Sequence, residues 1–279
     1  ADHIADGESS LRLNPGDLEE AMGGYLVFRD PPGTSPNDPS AHGSAFDRVN
    51  AFRDGFFNGP ERCKGYEDGG FVITDIPLTQ ADLVTGGDLP FADAAPLLIQ
   101  SLETYWSLVF PEVFGGTWDP VEGFPYLPAS GVLPPDCADP GTRSPDGTAY
   151  YCESGDFVTW DQETLFPGLY QAIGDFAVGM VLGHEWATAA QAKAGLPTTG
   201  EEAALQADCL SGAWAAALVP FDNPTGIVLS SGDLDEGVAG FLTLGDDPES
   251  GTMEMGTAFE RFDAFQNGFF NGIDACLVS

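Results

Sequence analysis

Two stretches of this chain are copies of one another, so any fold it adopts must house the same element twice. Residues 43–63 (GSAFDRVNAFRDGFFNGPERC) match residues 256–276 (GTAFERFDAFQNGFFNGIDAC) at twelve of 21 aligned positions. The likeness continues upstream, where residues 16–30 (GDLEEAMGGYLVFRD) match residues 232–246 (GDLDEGVAGFLTLGD) at seven of 15. Each copy reads as helix, turn-rich loop, helix. Asp17 and Asp233 stand at expected N-caps, with apolar residues at helical spacing behind them. In the second helix Phe46, Val49, Phe52, Phe56 and Phe57 form an apolar stripe, repeated as Phe259, Phe262, Phe265, Phe269 and Phe270. A stripe of that kind is a core face. Two copies with an unrelated stretch between them do not form a stacked array, which needs about three or more adjacent units. The expected organisation is residues 1–63 as a spare N-terminal copy, 64–90 as a connector and 91–279 as a body carrying its own copy.

Within the body a helix is expected over 91–110, ending before Pro111. The stretch 111–150, rich in Pro and Gly, is expected to be mostly loop. TAYYC and DFVTWD alternate apolar and polar residues around Glu153, Ser154 and Gly155, which predicts a β-hairpin. Helices follow near 161–172, 174–194 and 200–219, the second stopped by Gly195 and Pro197. The fold class is therefore α+β and mainly α, with one small sheet.

Charge narrows the partners. Asp and Glu number 44 against 9 Lys and Arg, a net −35. Such a surface repels nucleic acid and anionic membrane, because phosphate is held by Lys and Arg. The acids are interleaved with aromatics throughout, unlike a disordered acidic tail. They suit a solvated surface in salty or extracellular surroundings. Calcium is the sharper reading of so many carboxylates, but no stretch fits the Asp-x-Asp-x-Asp-Gly loop. No apolar run approaches the ~20 residues a bilayer-spanning helix requires. Ala1 opens a polar, acidic segment that does not read as a signal peptide; if the protein is secreted, its signal lies upstream.

Five cysteines occur, Cys63, Cys137, Cys152, Cys209 and Cys276, with no CxxC pair to suggest a zinc knuckle or redox site. Cys137 and Cys152 bracket a Pro/Gly/Asp-rich loop leading into the hairpin, and a disulfide stapling it implies an oxidising compartment.

The helix over 174–194 contains GHEWATAAQ, with His184 and Glu185 side by side. A zinc peptidase helix carries two His at i and i+4, so that both imidazoles face one metal, and the Glu acts as general base on the metal-bound water. Here i+4 is Thr188, whose neutral hydroxyl is a poor zinc ligand. Alone, a His-Glu pair on a helix is a partly buried histidine beside an acid. The next helix, however, carries EEAALQADCLSGAW. HEW-x-x-A-x-Q followed by LQADC resembles the neutral zinc metallopeptidase family of bacteria, whose pattern reads HEWGHAVQ and then ELQADC. The resemblance reaches ETYWSLVFPEVFG, the AYYCESGDFVTWD hairpin and the terminal repeat, and so covers most of 95–276 plus the N-terminal copy.

The resemblance implies a zincin-like scaffold and a set of roles. The first ligand is matched by His184 and the general base by Glu185, both vestigial. The second ligand falls on Thr188, and the third, the Glu before LQADC, falls on Ala204. Asp208 and Cys209 are retained. The family's terminal HGT or HGS reads Met255, Gly256, Thr257 in the body and His42, Gly43, Ser44 in the front copy. One ligand of three does not hold zinc tightly; Glu201, one turn before Ala204, is a conceivable substitute. Cys209 is expected to pair with Cys276, and its counterpart Cys63 to be a free or intermolecular thiol. The reading is a secreted, extracellular or cell-surface pseudo-peptidase that is structural or interactive and uses no cofactor. Its expected partner is itself, in a homo-oligomer or filament built through the N-terminal arm, or the arm folds back on its own body. A weak zinc metallopeptidase using His184, Glu185 and Glu201, or a peptide-binding module in the old cleft, are the alternatives.

Overall fold

The computed structural model describes residues 12–68, 70–139, 147–249 and 254–277. Its helices of two turns or more are, in chain order, α1 (Asp17–Val27), α2 (Ala45–Asn58), α3 (Phe91–Val113), α4 (Leu165–Ala172), α5 (Asp175–Ala194), α6 (Glu201–Ala217), α7 (Asp233–Leu244) and α8 (Ala258–Asn271). Single helical turns occur at Pro60–Cys63 and Asp82–Thr85. Strands β1 (Glu122–Tyr126), β2 (Ala149–Cys152) and β3 (Phe157–Asp161) make a sheet of order β1-β3-β2. The fold is mainly helical with one small sheet, as the sequence pattern predicts.

Helix α5 is apolar on nearly every side, and a helix of that composition must be enclosed. It buries Phe176, Val178, Met180, Leu182, Trp186, Ala187 and Ala190 among others. Around it lie α3, α4, α6, α7 and the sheet. Helices α6 and α8 approach more closely than ordinary side chains allow. A Cβ on Gly212 would collide with the Phe265 carbonyl, and one on Gly268 with the Cys209 carbonyl. The same seam is pinned by the disulfide between Cys209 and Cys276, 5.6 Å apart at Cα. The second disulfide joins Cys137 to Cys152, as expected, although residues 140–146 of its loop lie outside the described residues.

Several local expectations need correction. Helix α3 does not stop before Pro111 but runs to Val113. Proline this close to a C-terminus removes one N–H, and Phe114 N–H still closes onto the Phe110 carbonyl at 2.9 Å. Strand β1 lies in the stretch expected to be loop, pairing parallel with β3 from Glu122 opposite Phe157 to Tyr126 opposite Asp161. Its sequence, EGFPY, does not alternate, and Pro125 is accommodated because β1 is an edge. Helix α4 begins at Leu165 rather than near 161. Asp161 ends β3 and accepts from the N–H groups of Glu163 and Thr164, a side-chain turn that delays the helix. Asp17 and Asp233 are first helical residues and not N-caps; the caps are Gly16 and Gly232, both at positive φ. Each carboxylate instead reaches backwards, Asp17 to Asn14 N–H at 2.7 Å and Asp233 to Ser230 N–H at 2.8 Å.

The described part of the N-terminal copy packs on its own body, α1 and α2 against α7 and α8. The contact is reciprocal. Phe46 N–H donates to Asp235 at 2.9 Å, and its counterpart Phe259 N–H donates to Glu19, the counterpart of Asp235, at 3.3 Å. The Phe46 ring meets Phe269 and Phe270, and the Phe259 ring meets their counterparts Phe56 and Phe57. Contact of i with j′ and of i′ with j is the mark of an approximate two-fold axis. The connector is tied at both ends, Thr74 N–H to Asp47 at 3.1 Å and Leu89 N–H to Asp175 at 2.9 Å.

Candidate functional site

The chemistry-bearing motifs meet across the seam between α5 and α6, which run antiparallel. Gly183 packs on Ser211, His184 bonds Asp208, and further along Gln191 Nε2 donates to the Ala203 carbonyl at 2.9 Å. As numbers rise on α5 they fall on α6, so this register sets Thr188 level with the stretch from Ala204 to Gln206. The two positions at which the resemblance implies lost ligands thus lie within about a turn of each other along the seam, each one turn from the His184–Asp208 pair.

His184 is buried, and its Nδ1 lies 2.8 Å from Asp208 Oδ1. Asp208 also takes two hydrogen bonds from Arg261 on α8, from Nε at 2.7 Å and from the terminal guanidinium nitrogen NH2 at 3.0 Å. Burial works against the Asp208 charge, but Arg261 and His184 outweigh it and hold the carboxyl below its usual range. An ionised carboxylate only accepts, so His184 carries its proton on Nδ1. Arg261 in turn loses from burial and gains more from Asp208, so its charge is secured. Its remaining arm donates to the Leu244 carbonyl at 3.0 Å, and the guanidinium sits 5.5 Å from the Phe241 ring centroid. The motif residues therefore form a buried His184, Asp208, Arg261 cluster that locks α5, α6 and α8 together. Removing one partner of a buried, hydrogen-bonded ion pair leaves the other charge uncompensated and is costly.

Two of the remaining candidates, Glu185 and Thr188, are engaged by backbone groups. Glu185, half-buried, accepts the N–H of Tyr151 from edge strand β2 at 2.8 Å. Thr188 turns its hydroxyl back to the His184 carbonyl at 3.0 Å, the usual habit of a helical threonine. Ala204 is buried and offers no donor atom. Among the described residues, no trio of His, Cys, Asp or Glu ligand atoms close enough for one metal includes His184 or Glu201. This donor set does not fit a tetrahedral zinc, which needs three or four nitrogen, sulfur or carboxylate ligands. Cys63, the leftover thiol, is free and exposed.

Three features escaped the sequence reading. Arg261 carried a signal, being identical to Arg48 across the repeat. Glu103 opens the ETYWSLVFPEVFG segment of the resemblance but was given no role; it accepts from both Trp118 and Trp186 indoles at 2.8 and 2.7 Å and from Val121 N–H at 2.9 Å, fastening α3 to α5 and the approach to β1. Asp88, Asp175 and Glu236 converge from three elements. Comparison with protein-family models, curated proteins and solved structures returned no match.

Proposed function

We propose that this chain is a secreted, non-catalytic descendant of a zincin-like HExxH peptidase, retained as an interaction protein. One observation carries the reading: at the seam where a peptidase would present three metal ligands, the chain offers one histidine, a back-bonded threonine and an alanine. The retained Asp208 is engaged by Arg261, and Glu185 by β2, so the former reaction centre serves as a fastening. The two disulfides, and the absence of any described helix long and apolar enough to cross a membrane, are compatible with an extracellular or cell-surface location. Purified protein should retain no stoichiometric zinc after dialysis, by elemental analysis. One zinc per chain, or chelator-sensitive peptide cleavage abolished by Glu185→Gln, overturns the proposal in favour of a weak metallopeptidase. The double variant Thr188→His with Ala204→Glu should regain zinc if the scaffold is zincin-like, since it restores the ligand types that the resemblance implies at those positions.

The interaction surface is assigned to the first 90 residues. Of the 13 exposed large hydrophobic side chains among the described residues, nine precede residue 91, including Val27, Phe28, Phe57, Val72 and Val84. Exposed apolar side chains at this density are what a contact surface would cover. Self-association through the arm, whose contacts with the body a second copy would equally supply, is the second reading. With −35 charges opposing approach, association should strengthen with ionic strength. Size-exclusion chromatography at low and high salt reads it, and a monomer throughout removes it.

A further inference from the structure

Three acids from separate elements meet where the connector reaches the N-terminal ends of α5 and α7. One carboxylate oxygen each from Asp88, Asp175 and Glu236 lies within 4.8 Å of the other two. Oxygens on opposite sides of a calcium ion, at about 2.4 Å from it, are separated by about that distance. The neighbourhood is built around them. Asp175 is 4% exposed; its Oδ2 accepts Leu89 N–H at 2.9 Å, while its buried Oδ1 has no hydrogen-bond partner. Glu236 accepts Phe176 N–H at 3.0 Å and lies where a Cβ on residue 174 would stand, so that position is Gly174, at φ 144°. Asp233 is buried alongside with its carboxylate held by Ser230, and the Tyr170 hydroxyl is anchored to the Leu89 carbonyl at 2.7 Å.

The cluster has no cationic partner among the described residues: Arg29, in the adjoining cavity, is paired with Asp235 at 3.2 Å. Burial and mutual repulsion push Asp175 up to about 6 and Glu236 up to about 9. A proton shared between Asp88 and Glu236 relieves part of that repulsion. It leaves the buried Asp175 Oδ1 without a hydrogen-bond partner, an oxygen that a cation can take as a ligand. A cavity of about 240 Å³, lined by Gly86, Ile173 and Glu236 among others, opens beside the acids, and Asp88 is only half-buried, so a hydrated ion has a route in.

We propose that Asp88, Asp175 and Glu236 bind one divalent cation of the calcium type, clamping the connector to α5 and α7. All-oxygen carboxylate ligation selects a hard cation. The ligands are 87 and 61 residues apart in sequence, so no contiguous calcium-loop pattern announces them. Calorimetric titration of calcium into chelator-stripped, full-length protein at neutral pH should give one saturable site per chain. Asp175→Asn and Glu236→Gln keep acceptors for the Leu89 and Phe176 N–H groups, yet each should weaken binding by roughly tenfold or more. Asp222→Asn, at an exposed acid, should change nothing. Terbium luminescence sensitised by Tyr170 and displaced by calcium provides a readout on the unmodified protein, independent of how the variants fold. Weak, unsaturable binding that salt screens away, or saturable binding indifferent to both amide variants, overturns the site.

Discussion

The two copies of the repeated element share their internal design and differ in what lies against their outer face. Within each copy the second helix's arginine crosses to the first. Arg48 reaches the Phe28 carbonyl and the Tyr25 ring, and Arg261 reaches the Leu244 carbonyl and the Phe241 ring. Each copy also closes its loop alike, Asp30 accepting from Gly43 N–H and Asp246 from Gly256 N–H. Beyond that they diverge, because only the C-terminal copy has α6 to pack on. Phe265 is buried while its counterpart Phe52 is half-buried, and Cys276 is bonded to Cys209 while Cys63 is exposed. The helix pair is therefore a self-consistent unit whose remaining face accepts a third helix. Where that helix is absent, the same sequence leaves apolar surface open.

The comparison is broken most forcefully at the twin arginines. Arg261→Met would leave the buried Asp208 carboxylate with only the His184 N–H and should cost about 3–5 kcal/mol. Arg48→Met removes one exposed hydrogen bond and a ring contact, and should cost under about 1 kcal/mol. Urea unfolding of both variants measures the difference; equal losses would mean that the Asp208 cluster does not set the C-terminal copy apart. The cluster also has an acid signature. The folded Asp208 carboxyl is held below its unfolded value, so its stabilisation is present above about pH 4 and lost as pH falls further.

A smaller difference is expected at the twin glycines. Gly268→Ala drives a methyl group into the Cys209 backbone and should cost about 1–3 kcal/mol or more, since two backbones must separate. At Gly55 a Cβ meets only the Cys63 sulfur, at 3.0 Å, on a side chain free to turn away. Gly55→Ala should then stay within about 1 kcal/mol of neutral, helped by the better helix propensity of alanine. A matching loss at Gly55 in thermal unfolding would reveal a third helix on that face in solution, as self-association would provide.

How much of this was legible follows the range of the interactions. The repeat, the hairpin, the α5 and α6 helices and both disulfides rest on local pattern or on motif likeness, and the chain's sequence carries them. Strand β1 was not legible, because EGFPY becomes a strand only through pairing with β3, a partner more than thirty residues on. In the candidate site His184 and Asp208 stood out through their motifs. Arg261 did not, since a helical arginine in an amphipathic stripe reads as surface until α6 is laid against it. The Asp88, Asp175 and Glu236 cluster was invisible for the same reason: forty-four acids conceal which three converge.

The smallest expected effect lies where the copies should agree. Ser44 and Thr257 cap their helices identically, accepting from Asp47 N–H at 3.1 Å and Glu260 N–H at 3.3 Å. Replacing either with alanine should cost about 1 kcal/mol. The third helical residue then separates them. Glu260 is exposed and reaches back to Thr257 N–H at 2.9 Å, completing a capping box. Asp47 is buried under the connector, and burial pushes its carboxyl up to about 6. An acid raised in the fold favours folding while protonated, so this contribution is full below about pH 4 and is lost as pH climbs towards 6. Unfolding free energies measured across that window should therefore carry a slope that Asp47→Asn removes and Glu260→Gln leaves in place. If the two substitutions flatten the profile equally, the connector does not cover Asp47 in solution, and the N-terminal copy is as open at its cap as its twin.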